Sequence, residues 1–441
     1  MRNLYKKFQF INSILLPRVL TQACRDKFSS SYGSFDRNWW HYKIRDFSSI
    51  ILQQGGYSLY CYFDNEDEIN INKSILNLIK ASASFWNSQA TKYGAFEEYY
   101  PWEKGYPPLA FSTLAIAKLV DLNVVKKDQV YSGIKVASLQ LLKRFESKAS
   151  NQQIAGLAAL SIIKKFAPEI VNNRNFIEIS TKSLNLQTEE GWFFEYEGPD
   201  LGYLSVTLDC LWDLFDATGD EKFLKSATRC LDFIYKLSSF GNKTSIGVLN
   251  SRNTDYITPY GIARFLTQSE KSIKDKALTV LINIFSDIDK KNHFIYAIDD
   301  RYLCHYIGHS FFRTTKLLKN LSKDEIDLIR FKKDIFFDKS GYFLLTSNKR
   351  EYTSLVSSKK GGSLTINFNG KKCSDFGWIL LKNNNVYVSN WWAKFWEIEI
   401  KSNFIKVEGF LTSHKETISS PIKHICLRIL SFLFGEKVIP I

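Results

Sequence analysis

The stretch Glu189–Lys236, EEGWFFEYEGPDLGYLSVTLDCLWDLFDATGDEKFLKSATRCLDFIYK, decides how the rest of the chain is read. Its first part sets Gly191, Trp192, Glu195, Tyr196, Glu197, Gly198, Asp200 and Tyr203 close together, a mixture too polar for a core and too aromatic for an ordinary linker. Such a loop suits a binding surface, because rings and carboxylates are the partners a polyhydroxylated ligand needs. From Leu204 the pattern changes: Leu204, Leu208, Leu211 and Phe215 recur at steps of four, three and four, on one helical stripe. Gly219 and Asp220 stop that helix, and Phe223, Ala227, Cys230, Leu231 and Ile234 lay out a second stripe. The stretch predicts an αα-hairpin with an aromatic and acidic loop at its leading end.

The same rhythm extends to both sides. Ile69, Ile71, Ile75, Leu76, Leu78, Ile79 and Phe85 predict a helix within residues 66–90, and GAFEEYYPWEKGYPPLAF then brings Glu97, Glu98 and Trp102 ahead of a helix that follows Pro107 and Pro108. Further helices are predicted over 130–146, from an Asn151 cap in NQQIAGLAAL, and over 175–184. NSRNTDYITPYGIARFL places Arg252, Asn253, Asp255 and Tyr256 before another helix, and helices over 272–288 and 296–319 follow. Nearer the start, SYGSFDRNWWHYKIRDF carries Asp36, Arg37, Trp39 and His41, which fit either a site or a structural network. His305 and His309 lie four apart on one predicted helix face, but without the glutamate of an HExxH motif they are expected to pack or hydrogen-bond.

Near residue 330 the pattern switches to short β-rich runs separated by Gly, Asn and Lys turns. The expected fold is α+β and multidomain: a basic arm over 1–30, an incomplete α/α toroid of helix hairpins over 31–325, an antiparallel β-sandwich-like domain over 330–415, and a basic amphipathic tail over 416–441.

Composition bounds the rest. At 441 residues two domains are the prior expectation, and 45% hydrophobic content with 15% aromatics is ample for packed cores. The net charge of +14 points to an anionic partner, or to lysine-rich drift of a composition also heavy in Asn and Ile. No nucleic-acid module is visible, so a nucleic-acid partner is not expected. Seven cysteines at 24, 61, 210, 230, 304, 373 and 426, odd in number and without CxxC spacing, read as reduced thiols. No metal or cofactor is expected. The first residues make a poor signal peptide and no run of 18 apolar residues occurs, so a cytoplasmic location is expected. Segment 1–30 fits an amphipathic helix on a membrane surface or a packing arm.

GDEKFLKSATRCLDFI resembles the helix pairs of α/α-toroid carbohydrate-active proteins, and helices followed by a β part, with SDFGWILL similar to a family strand, resemble the heparinase II/III-like polysaccharide lyases. That resemblance implies β-elimination on a uronic-acid polymer, which needs the substrate carboxylate neutralised, a base for the C5 proton and an acid for the leaving oxygen. Residue by residue it implies that Asn151 neutralises the carboxylate and that Tyr203 is acid and perhaps base. The family histidine after that asparagine is Gln152 here, which hydrogen-bonds but does not accept a proton. No β-part histidine matches a family motif, since His414 and His424 lie near or in the tail.

Three functions follow as expectations. The first is a lyase for an acidic polysaccharide, with Tyr203, Asn151 and Gln152 catalytic, and with Trp192, Glu195, Tyr196, Asp200, Arg252, Asn253, Tyr256, Arg37, Trp39, His41, Glu97, Glu98 and Trp102 binding the chain. The second is a glycoside hydrolase on the same ring, needing two carboxylates roughly 5–10 Å apart. The third is a glycan-binding or assembly protein of surface-polysaccharide biosynthesis that does no chemistry.

Overall fold

The computed structural model describes residues 2–65, 72–92, 94–238, 247–252, 254–321, 334–347, 352–368, 371–401, 404–414 and 419–434. It has the two-part α+β layout: helices through residue 320, then antiparallel strands over 335–414. The helices run α1 Arg2–Gln22, α2 Arg37–Trp40, α3 Gly55–Asn65, α4 Lys73–Thr91, α5 Tyr106–Asp121, α6 Lys127–Lys143, α7 Ser150–Phe166, α8 Asn173–Leu184, α9 Leu201–Thr218, α10 Glu221–Ser238, α11 Tyr260–Arg264, α12 Lys271–Phe285, α13 Asp300–Leu303 and α14 Tyr306–Lys319.

Burial separates them into two layers. Helix α5 buries every residue from Pro108 to Val120, α7 every residue from Gln153 to Ile163, and α9 every residue from Leu204 to Leu214. Helices apolar all round belong inside. These three, with α3, α11 and α14, form an inner ring in which each packs on the next and α14 returns to α3. The ring is thinnest at α11, which has five residues. Helix α10, with one stripe of Phe223, Ala227, Cys230, Leu231 and Ile234, packs outside against α9 and α12, as α4 does against α3 and α6. Close approach of α7 to its neighbours relies on small residues: a Cβ on Gly156 would stand 2.9 Å from Leu141.

Local chemistry starts and stops the helices where the fold needs them. Pro107 and Pro108 occupy the first turn of α5, where no intrahelical N–H is lost. Asn72, Asn172 and Asp200 accept from the first turns of α4, α8 and α9. Gly219, at φ +66°, ends α9 and turns the chain into α10.

The structure bears on three of these expectations. The segment 1–30 contains α1, which buries Leu4, Phe8, Ile11, Leu15 and Val19; Phe8 meets Phe285 and Phe311, and the helix packs on α14. This packing matches the arm reading of that segment. The helix expected over 296–319 is broken into α13 and α14, with His305 as a non-helical residue (ψ −146°) before α14, so it shares no continuous helix with His309. The break is held by packing, since a Cβ on Gly308 would lie 2.2 Å from the Leu303 carbonyl oxygen. Helix α4 starts at Lys73; Ile69 and Ile71 lie outside the described residues.

Strands β1 Ile335–Phe337, β2 Tyr342–Ser347, β3 Tyr352–Ser357, β4 Ser363–Phe368 and β5 Lys371–Asp375 form an antiparallel meander. β6 Ile379–Lys382, β7 Asn385–Val388 and β10 Thr412–His414 form a second sheet, and β8 Glu397–Ile400 pairs with β9 Ile405–Glu408. The meander docks on the ring through Phe233, whose ring lies 5.2 Å from Phe337, and through the Tyr342 hydroxyl, which donates to the Leu249 carbonyl. Glu190 joins the two parts by accepting from the main-chain N–H groups of Lys339 and Ser340. Helix α15, Pro421–Phe434, follows. Among the described residues no helix is long and apolar enough to cross a membrane.

Candidate active site at the mouth of the helical ring

The inner helices begin at one end of the ring. There the Asn151 turn of α7 meets the loop before α9, and Tyr203 of α9 meets Tyr256 ahead of α11, ring to ring at 6.2 Å. The Tyr256 and Tyr306 hydroxyls are 2.7 Å apart, and Tyr306, at the start of α14, packs on Phe111 of α5. Tyr302 of α13 closes the group, 6.1 Å from Tyr256 and 5.3 Å from His305. Converging helix N-termini make this mouth favourable for negative charge.

Several predicted site residues turn out to hold the mouth together. Asn151 gives its main-chain N–H to Glu195 Oε1 and its Nδ2 to Oε2, both at 2.7 Å. Asp200 caps α9 through Tyr203 N and also accepts from Thr254 and from the N–H of Arg252. Burial raises the carboxyls of both Glu195 and Asp200, and those donors offset the effect only in part. Trp192 is fully buried, donates to Glu190 and packs edge-on to Phe194. It is a core residue, which corrects its assignment as a surface contact. Glu97 holds the Trp102 N–H. Trp39 packs on Phe85 of α4, while Arg37 lies over the Tyr42 ring and His41 meets it edge-on. Asn253 lies outside the described residues.

The other predicted residues differ in exposure. Tyr203 is half-buried and its hydroxyl is pushed up, by burial first and then by Asp200. Exposed Arg252 lies over the Tyr196 ring at 4.2 Å, and Gln152 hydrogen-bonds the Tyr196 side chain. Glu98 is buried, with Tyr99 as a side-chain partner; burial and then the nearby Glu103 push its carboxyl up to about 7. Its charge bears on Tyr302 and, together with that of Tyr203, on Tyr306. Glu98 is thus the group at the mouth poised to exchange protons near neutral pH.

Sequence reading missed Tyr302, Tyr306, Arg301 and Trp392. The spacing of Tyr302 and Tyr306 around His305 was the available signal for the first two. Trp392 comes from the β part to lie against Gly198, where an added Cβ would meet its ring at 2.7 Å, and no local pattern marks it. His305 is buried and pushed down to about 3, by burial first and then by Arg301, so it is neutral and a poor base. His414 lies on the exposed strand β10 and His424 bonds Ser419, neither with a contact to the mouth.

The opposite end of the ring holds a cavity of about 470 Å³ lined by Tyr57, Tyr60, Tyr260, Arg264, Arg313 and Lys316. Its cations are matched internally, Arg313 to Asp213, Arg264 to Asp216 and Lys316 to Asp64, and Lys118 shares Asp213. The helix C-termini gathered there also favour cations for structural reasons. Among the described residues no cluster of three or more His, Cys, Asp or Glu side chains could hold a metal ion.

No protein-family model matches the sequence, and no curated protein matches it. What the coordinates define is the class: a two-part α+β protein whose helical ring opens on an aromatic mouth carrying a buried carboxyl.

Proposed function

We propose that the mouth of the ring takes an acidic, uronate-containing polysaccharide or oligosaccharide and cleaves it by β-elimination. The observation that carries this reading is the joining of Tyr203, Tyr256, Tyr302 and Tyr306 into one aromatic floor with Glu98, a carboxyl raised to about 7, in the same electrostatic field. A sugar face stacks on the exposed ring of Tyr302 and on half-buried Tyr203, while Tyr256 and Tyr306 are buried behind them and support these two rings. Arg252, Gln152 and the helix N-termini take the role of neutralising the uronate, because the Asn151 amide is committed to Glu195. Ionised Glu98 removes the C5 proton, the C5–H electrons form the C4–C5 double bond, and the C4–O bond breaks. Tyr203, whose raised hydroxyl keeps its proton at neutral pH, delivers it to the departing oxygen.

A hydrolase is less well supported, since Glu97, Glu195 and Asp200 are spent on main-chain hydrogen bonds, as is Glu103, which leaves exposed Glu197 as the one remaining carboxylate expected to work with Glu98. The second reading is a glycan-binding protein without turnover. Gln152 in the place of a histidine and the engaged Asn151 favour it. Incubation with a panel of acidic polysaccharides, following ultraviolet absorbance and reducing ends together, tests all three. Unsaturated ends select the lyase, reducing ends without the chromophore the hydrolase, and binding without either the third. No binding of any acidic glycan rejects the proposal.

A further inference from the structure

The loop that carries Glu98 is conformationally unusual. Trp102 sits at φ +61°, a left-handed conformation that is costly for so bulky a residue and persists only where surroundings enforce it. From within, Glu97 accepts the Trp102 N–H at 2.6 Å and Glu103 accepts from the N–H groups of Glu98 and Tyr99. From outside, Arg45 donates to the Glu98 carbonyl at 3.0 Å.

The remaining restraint comes from more than 300 residues away. In α15, Ser431 donates to the Pro101 carbonyl at 2.9 Å, and the Phe432 ring meets Trp102 edge-on at 5.3 Å. Arg428 makes a two-pronged ion pair with Asp46, the neighbour of Arg45, at 2.5 and 3.0 Å. Ser431 and Phe432 touch the Glu98 loop itself, and Arg428 touches the segment whose Arg45 holds the Glu98 carbonyl. Ser431 is nonetheless the one buried residue of α15, and Ile422, Ile425, Ile429 and Leu433 stand exposed. The Arg428–Asp46 pair is itself open to solvent and so contributes little.

We propose that α15 is a detachable strap: docked, it fixes Trp102 and with it the loop that holds Glu98 in the conformation that the chemistry uses, and released, it lets that loop relax. This regulation rests on the mouth being the active site, but the clamp is testable without any substrate. Ser431 and Phe432 are positioning residues acting through Pro101 and Trp102, and Arg428 is one acting through Asp46.

The test is amide hydrogen exchange on the full chain, comparing wild type with an Arg428→Ala/Phe432→Ala variant and an Ile425→Ala control on the same helix. The expected result is exchange at Glu98, Tyr99 and Trp102 at least tenfold faster in the double variant, with α7 amides unchanged and the control like wild type. The Glu98 titration, read as the difference in pH-dependent stability from the matching Glu98→Gln chain, should move downward from near 7. Unchanged loop exchange, or an equal effect from Ile425→Ala, overturns the strap. Failure to find a glycan substrate would reject the functional reading and leave the exchange result standing.

Discussion

Asn151 grips Glu195 twice, with its main-chain N–H on one carboxylate oxygen and its side-chain amide on the other, each at 2.7 Å. A residue that resembles a substrate-binding asparagine therefore ties the loop before α9 to the first turn of α7. Asn151→Ala should destabilise the protein by about 1–3 kcal/mol, the cost of leaving a buried acceptor one donor short. Denaturant midpoints measure this. An unchanged midpoint with lost glycan binding would return Asn151 to the substrate.

Glu98 gives stability a defined pH dependence. Its folded carboxyl titrates near 7 against 4.5 unfolded, because burial disfavours the ionised form. Below the unfolded value both states are protonated and nothing is lost. As pH rises from 4.5 toward 7 the unfolded chain gives up the proton first, so the folded state loses roughly 2–4 kcal/mol, and above 7 the loss is constant. Glu98→Gln should remove that slope. Urea titrations of both chains from pH 4.5 to 8 read it as a difference, which cancels the other raised carboxyls.

Tyr203→Phe and Trp192→Ala should separate chemistry from architecture. Removing the half-buried hydroxyl of Tyr203 is expected to cut turnover about 10²–10⁴-fold while leaving the melting temperature and oligosaccharide affinity close to wild type. Truncating fully buried Trp192 should cost about 3–5 kcal/mol. A stable Trp192→Ala chain with weakened glycan binding would contradict the core assignment.

At the far end of the ring, Asp213 accepts from both Lys118 and Arg313. Asp213→Ala strands buried Lys118 and largely buried Arg313 and should destabilise by about 3–5 kcal/mol, seen as a large fall in the unfolding midpoint. Little change would mean that water reaches this cluster.

Much of the architecture was legible because it is written in local periodicity. The stripe from Leu204 to Phe215, the stop at Gly219, the small-residue face of α7 and the switch to short β runs near residue 330 each depend on neighbours within a few turns. The aromatic and acidic loops were also located correctly between helices.

Which way each loop side chain points was not written there. Trp192 turned inward, Glu195 and Asp200 became staples for helix starts, and Tyr302, Tyr306 and Trp392 arrived at the mouth from distant segments. Sequence alone settled the order and kind of most elements, since helix and strand periods are short-range properties, but it left out α3 and ran α13 and α14 together. Only ring closure decided the site, because a side chain's partner there lies 44 residues away for Asn151 and Glu195, or 50 for Tyr256 and Tyr306, and burial rather than residue type sets the proton affinity of Glu98.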